Sequence, residues 1–169
     1  MRRLLIASAL ISVQVTAADF RVANFGEPCV GIREREEARG SAPIAWSPSR
    51  PEFIAFKGTE FGREVSILYL CPKGALFTGN YFLNNENFDD ALKTLRLIYD
   101  KFFSERGVPY FDTTPWQADA DPRGVQSDPR KYMVTWRDTH VRTTISVMPA
   151  DKSEKAWHVF IIVGQDKPD

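Results

Sequence analysis

One stretch near the middle of the chain has apolar side chains at helical spacing. Between Phe88 and Arg106, apolar residues recur every three or four positions, and most charged residues fall on the opposite side of the helical wheel. This is the pattern of an amphipathic helix with one face in the core. Asn87 is a suitable N-cap, and Gly107 is a suitable stop. We therefore predict a helix over Phe88–Arg106 that packs on a sheet.

Six other segments have the short apolar or alternating runs that are typical of β-strands. The segment 65–71 is apolar on both faces, which predicts a central strand covered on both sides. Glycines, prolines and polar residues separate the segments and predict turns. The six predicted strands are Phe53–Phe56, Val65–Cys71, Ala75–Leu83, Tyr132–Arg137, Val141–Met148 and Trp157–Val163.

The order of elements indicates a duplication. A second helix is predicted over Pro28–Arg39, so the order is helix, three strands, helix, three strands. Two αβββ units would form an α+β fold, an antiparallel sheet of about six strands with two helices on one face. The plan is comparable to the repeated helix-plus-sheet plan of the β-lactamase-inhibitor protein. That likeness is one of architecture, without a shared motif, and implies no function.

The first residues have the composition of an export signal. Two arginines precede an apolar run over Leu4–Val15, and small residues follow it, so cleavage is expected after Ala17 or Ala18. The run is too short to span a bilayer, and no later stretch is long enough. We therefore expect residues 1–17 to be a signal peptide and residues 18–169 to form one α+β domain in the periplasm.

The charge of the chain is balanced. Its 22 basic and 22 acidic residues cancel, and removal of Arg2 and Arg3 with the signal peptide would leave a net charge of −2. Such a chain lacks the basic surface that nucleic acids or anionic lipids bind. We therefore expect neither as a partner.

Cys29 and Cys71 are the two cysteines of the chain. An even pair in an oxidising compartment predicts one disulfide, which would close a loop of about 43 residues. A free thiol pair and a redox site are the alternatives. Redox pairs usually have a closer spacing such as C-x-x-C, which the sequence lacks.

The sequence contains none of the familiar catalytic or cofactor motifs. It lacks a G-x-S-x-G elbow, a phosphate-binding loop, an H-E-x-x-H helix and a dinucleotide fingerprint. The spacing of His140 and His158 does not predict a catalytic triad. We expect a protein that is not an enzyme and that needs no cofactor.

A long predicted loop over Tyr110–Arg130 holds most of the acidic candidates. Within this loop, the stretch that starts at Asp119 resembles the beginning of a calcium loop. Arg123 and Arg130 occupy two of its ligand positions, so no metal is expected. A carboxylate pair of a glycosidase-like hydrolase stays open as an alternative. Its candidates are Asp112, Asp119, Asp121 and Asp128.

The same loop is the main candidate for binding a partner. Long loops within a compact domain are often functional, and aromatic residues and arginines often anchor interfaces. Either tryptophan of the two predicted loops, Ser41–Pro51 and Tyr110–Arg130, could instead pack in the core. The predicted partner-binding residues are Trp116, Asp119, Asp121, Arg123 and Trp46.

Three functional hypotheses follow. The first is an exported, non-catalytic module that binds another protein in the periplasm or envelope, such as an inhibitor or an immunity protein against an envelope-targeting enzyme. The second is a periplasmic protein that binds a small molecule or lipid in an apolar pocket between the sheet and the helices. The third is a hydrolase with an unrecognised carboxylate pair. Sequence alone does not identify the partner or the oligomeric state.

Overall fold

Two α-helices and eight strands are the main elements of the part of the protein that this computed structural model describes, namely residues 18–45, 52–116, 128–150 and 156–166. The predicted α+β class is confirmed. The helices are α1 (Ile32–Ala38) and α2 (Phe88–Arg106). The strands are β1 (Ala42–Ile44), β2 (Phe53–Glu60), β3 (Arg63–Leu70), β4 (Thr78–Asn85), β5 (Phe111–Asp112), β6 (Met133–Arg137), β7 (Val141–Pro149) and β8 (Trp157–Gln165).

The eight strands form one antiparallel sheet in the order β1-β2-β3-β4-β8-β7-β6-β5. The strands of each half of the chain follow one another from an edge to the centre, where β4 pairs with β8. Each half therefore contributes one helix and four strands. The prediction of about six strands in two αβββ units was wrong in its count, because each half contains one further strand.

The two missed strands are the short ones at the edges of the sheet. β1 lies in the predicted loop Ser41–Pro51, and β5 lies in the predicted loop Tyr110–Arg130. They have three and two residues, too few for an alternating pattern to be visible in the sequence. Short edge strands, and a proline such as Pro43 within one, limit pairing with other chains.

The first helix is shorter than predicted. Pro28 forms a β-bridge with Ala75, and the N–H of Cys29 donates to the carbonyl of Gly74 at 2.8 Å. Gly31 follows with a φ of 84°, a left-handed angle that glycine adopts readily. The helix can therefore begin only at Ile32. The second helix has the predicted bounds, and the Asn87 side chain caps it by accepting from the N–H of Asp90.

The core lies between the helices and one face of the sheet. Alternate residues of β8 point into it, and Trp157 packs on Phe88 of α2 with ring centroids 4.8 Å apart. Tyr69 of β3, on the same sheet face, donates a hydrogen bond to Glu36 of α1. Both helices therefore lie on one face, and no described helix lies on the other. We call that other side the helix-free face.

A disulfide bond joins Cys29 to Cys71, as predicted. Their Cα atoms are 6.3 Å apart. The bond connects the segment before α1 to the residue that follows β3. It therefore ties the N-terminal segment to the sheet.

Candidate functional site

Most of the predicted partner-binding residues lie outside the described part of the chain. This applies to Trp46, Asp119, Asp121 and Arg123, and also to residues 1–17, the predicted signal peptide. Their predicted roles stay predictions. Trp116 is the member of the set that the structure places.

Trp116 packs against α2. Its ring centroid lies 4.6 Å from that of Tyr99, and its indole Nε1–H donates to Oδ2 of Asp112 at 2.8 Å. The guanidinium of Arg96 lies 5.0 Å from the Trp116 ring. The side chain is half-buried and extends the core, so these contacts favour a stabilising role. Partner binding by Trp116 stays a prediction.

A groove of about 680 Å³ opens on the helix-free face. It lies over β6, β7 and the end of β8, beside the start of β4. We call it the open-face groove. Its floor contains Thr78, Thr135, Thr144, Ile162 and Gly164, and its rim contains Phe77, Tyr110, Phe111, Arg137 and Arg142.

Three aromatic side chains on the rim are strongly exposed. Phe77 is 49%, Tyr110 68% and Phe111 40% exposed. Phe77 lies just before β4, whereas Tyr110 and Phe111 follow the turn after α2. Single exposed apolar residues are common, but three around one groove are typical of a binding surface.

The rim also carries two arginines that face each other. Arg137 of β6 is the direct cross-strand partner of Arg142 of β7. Arg137 pairs with Asp166, with its Nε 3.3 Å from Oδ2, and its guanidinium lies 4.4 Å from the ring of Tyr110. Arg142 is exposed, and no described carboxylate pairs with it. The groove therefore has an excess of positive charge.

The floor of the groove offers a hydroxyl donor. The Oγ1 atoms of Thr135 and Thr144 are 3.0 Å apart, so one hydroxyl donates to the other. The hydrogen of the accepting hydroxyl stays free to be donated to a ligand. Gly164 lets the Thr78 side chain approach closely, since a Cβ there would lie 3.3 Å from Cγ2 of Thr78.

The two histidines do not form a site together. His140 precedes β7 and contacts Asp19, with 2.8 Å between Nε2 and Oδ1. His158 lies opposite Met148 at the other end of β7, on the helix-free face. Burial lowers the pKa of His158, because it disfavours the charged imidazolium.

The described lining of the groove contains few ionisable side chains. Its one carboxylate, Asp166, is already paired with Arg137. Within the described ranges, no three histidine, cysteine or acidic side chains converge in a way that could hold a metal ion. The same ranges contain no helix with the length and apolar character needed to cross a membrane. The groove presents aromatic rings, guanidinium groups and a hydroxyl donor.

No protein-family model, curated protein or solved structure matches the chain.

Reasoning from the sequence did not find the open-face groove. The alternation of threonine and arginine with core residues along β6 and β7 is visible in the sequence and signals a polar outer face. The pairing of β6 with β7 and the position of Phe77 beside β8 are not visible there.

Proposed function

We propose that this protein is an exported, non-catalytic module that binds another protein through the open-face groove. An inhibitor or immunity protein against an envelope-targeting enzyme is the form of this function that we favour. The observation that carries the proposal is the rim, where three exposed aromatic side chains stand beside two arginines. Aromatic residues and arginine are enriched in the energetically important centres of interfaces.

The compartment is part of the proposal. The N-terminal sequence has the composition of a signal peptide. The Cys29–Cys71 disulfide is compatible with an oxidising compartment. Together they support export to the periplasm, where an envelope-targeting enzyme would be met.

A small organic molecule is the second candidate occupant. The groove volume of about 680 Å³ lies in the range of ligand pockets, which favours this alternative. Against it, the space between sheet and helices, where such a pocket was expected, is filled by core side chains. The rim aromatics are also more exposed than the walls of an enclosing ligand pocket.

The proposal is tested by capture with the tagged chain from an envelope extract of its source cells. The captured protein is then purified, and its affinity is measured against wild type and variants. Tyr110→Ala and Phe77→Ala should each weaken binding by about 2 kcal/mol or more. Val30→Ala is the matched control, because Val30 is 85% exposed and lies outside the groove.

Two results would contradict the proposal. Equal binding by wild type and both rim variants would move the interface away from the groove. A native mass spectrum with a small molecule bound, together with no captured protein, would favour the second candidate.

A further inference from the structure

We infer that the open-face groove receives an acidic side chain of the partner protein and that Arg142 pairs with it. This inference rests on the proposed function and names the chemistry of the partner. Its evidence is the arrangement of charge around one end of the groove. That end is formed by Arg142, Gly164 and Thr78, which lie side by side on neighbouring strands.

The two rim arginines repel each other across β6 and β7. Like charges directly opposite each other on antiparallel strands destabilise a sheet, and Arg137 and Arg142 are such a pair. Asp166 neutralises Arg137 alone. A carboxylate delivered by a partner would balance the second charge, so the rim has a built-in preference for an anion.

The neighbours of Arg142 favour a carboxylate that enters from above the sheet. Its guanidinium fork can bind both oxygens of a carboxylate. On its β8 side the register places Gly164, which puts no side chain between Arg142 and Thr78. The Thr135–Thr144 pair on the floor has one hydroxyl hydrogen to donate.

The aromatic rim predicts the residue next to the acid. Phe77 adjoins Thr78, which lies opposite Gly164, so an apolar surface begins two strands from Arg142. Ile162 extends that surface along the floor. A matching partner segment therefore carries Asp or Glu beside an aromatic or aliphatic residue. Because the rim is open and wide, the occupant is a protein segment and not an enclosed small acid.

The test uses random peptides displayed on phage and selected on the full chain. We expect the enriched peptides to share an acidic residue next to an apolar one. Arg142→Gln should weaken their binding by about tenfold or more, as expected for a lost charge-assisted pair. Arg33→Gln is the matched control, since Arg33 is an exposed arginine on α1 and the charge change is the same.

Two further measurements keep the test decisive. Arg142→Lys retains the charge without the fork, so it should bind more strongly than Arg142→Gln but more weakly than wild type. Replacing the acidic residue of an enriched peptide by its amide should cost the wild type as much as Arg142→Gln does. The melting temperatures of Arg142→Lys and Arg33→Gln should match wild type, because both sites are exposed. That of Arg142→Gln should be equal or slightly higher, because the like-charge pair with Arg137 is removed.

The outcomes separate the inference from the proposed function. One outcome is that the enriched peptides share no acidic residue, bind Arg142→Gln as well as wild type, and fail to bind Tyr110→Ala. That result would overturn the inference and leave the groove as a protein interface. The small acid phenylacetate and its uncharged amide, phenylacetamide, test the other occupant. If no peptide is enriched and the protein binds phenylacetate but not phenylacetamide, Arg142 binds a free small acid, and both the inference and the proposed function are overturned. No binding of any probe would also overturn both.

Discussion

The two halves of the protein have the same order of elements but are held together differently. The N-terminal half has a helix of seven residues, a disulfide and a buried ion-pair network. The C-terminal half has a helix of 19 residues and a cluster of aromatic side chains. A short helix buries little apolar surface, and in this half a disulfide and buried ion pairs also hold the chain to the sheet.

The N-terminal network centres on Glu36. This carboxylate accepts from Nε of Arg21 at 2.7 Å, from Oγ of Ser41 at 2.6 Å and from the hydroxyl of Tyr69. Arg21 also pairs with Glu60, and it holds a left-handed φ of 49° that non-glycine residues seldom adopt. The side chain of Glu36 is fully buried and that of Arg21 is 4% exposed, so no substrate reaches them. The network holds the segment before α1 against the sheet.

Both halves pack aromatic rings, since Phe20 lies 5.0 Å from Tyr69 in the N-terminal half, but the described part of the C-terminal half has no buried ion-pair network. Trp136 of β6 contacts Tyr99 and Phe102 of α2, with ring centroids 5.6 and 5.5 Å apart. Trp116 extends this cluster by packing its ring on that of Tyr99. Contacts of this kind have little dependence on pH. The comparison therefore predicts that acid and reductant weaken the N-terminal half first.

The largest expected effect comes from removing the centre of the ionic network. Glu36→Ala leaves the buried Arg21 with Glu60 as its one described carboxylate partner, which should lower the free energy of unfolding by about 3–5 kcal/mol. Glu37→Ala, at the next position but exposed, should change it by less than about 0.5 kcal/mol. Urea unfolding of both variants measures the difference. Equal stabilities would show that the N-terminal half does not depend on the network.

The same carboxylate predicts the direction of pH dependence. Burial raises the pKa of Glu36, but the hydrogen bonds from Arg21, Ser41 and Tyr69 outweigh it and hold the pKa below its ordinary value. Because the folded-state pKa is lowered, this carboxylate contributes stability that is fully present above the unfolded pKa of about 4.3. That contribution is lost as the pH falls from there through the folded-state pKa. The acid-induced loss of stability should therefore be smaller in Glu36→Ala than in Glu37→Ala.

The disulfide is the second feature that distinguishes the N-terminal half from the C-terminal half. Replacing both Cys29 and Cys71 by alanine should cost about 4 kcal/mol, the chain-entropy value for a loop of this length. The intact protein should resist alkylation unless a reductant is added, which mass spectrometry measures. Two alkylated thiols in the native protein would contradict the bond.

The long helix is tested by a change on each of its faces. Leu95 is fully buried, and Leu95→Ala should cost about 2–5 kcal/mol by leaving a cavity. Lys93→Ala, on the exposed face, should cost well below that. Urea titration that ranked the two variants in reverse would contradict the packing of α2.

The difference between the halves also explains how much could be predicted from sequence. Periodicity suffices for α2, because its cap, apolar face and stop are local features. The even cysteine count, together with the compartment predicted from the N-terminal sequence, suffices to predict the disulfide. The Arg21–Glu36–Glu60 network joins residues far apart in sequence, and the open-face groove depends on which strands are neighbours. Neither leaves a local pattern.

The smallest expected effect on stability concerns Trp116, where the predicted loop meets the aromatic cluster. Its contacts with Tyr99 and Arg96 should make Trp116→Ala destabilising by about 1–2 kcal/mol. Trp116→Phe keeps a ring but loses the hydrogen bond to Asp112, so it should cost less. Val108→Ala is the exposed control, at 80% exposure.

Melting curves and affinity for a captured partner decide the role of Trp116. A stability loss with unchanged affinity would assign it to the cluster and leave the open-face groove as the interface. Unchanged stability with affinity weakened by about 2 kcal/mol or more would return the interface to the loop predicted from sequence. In that case the aromatic packing of the C-terminal half would end at Tyr99, and the contrast between the halves would be smaller than the structure indicates.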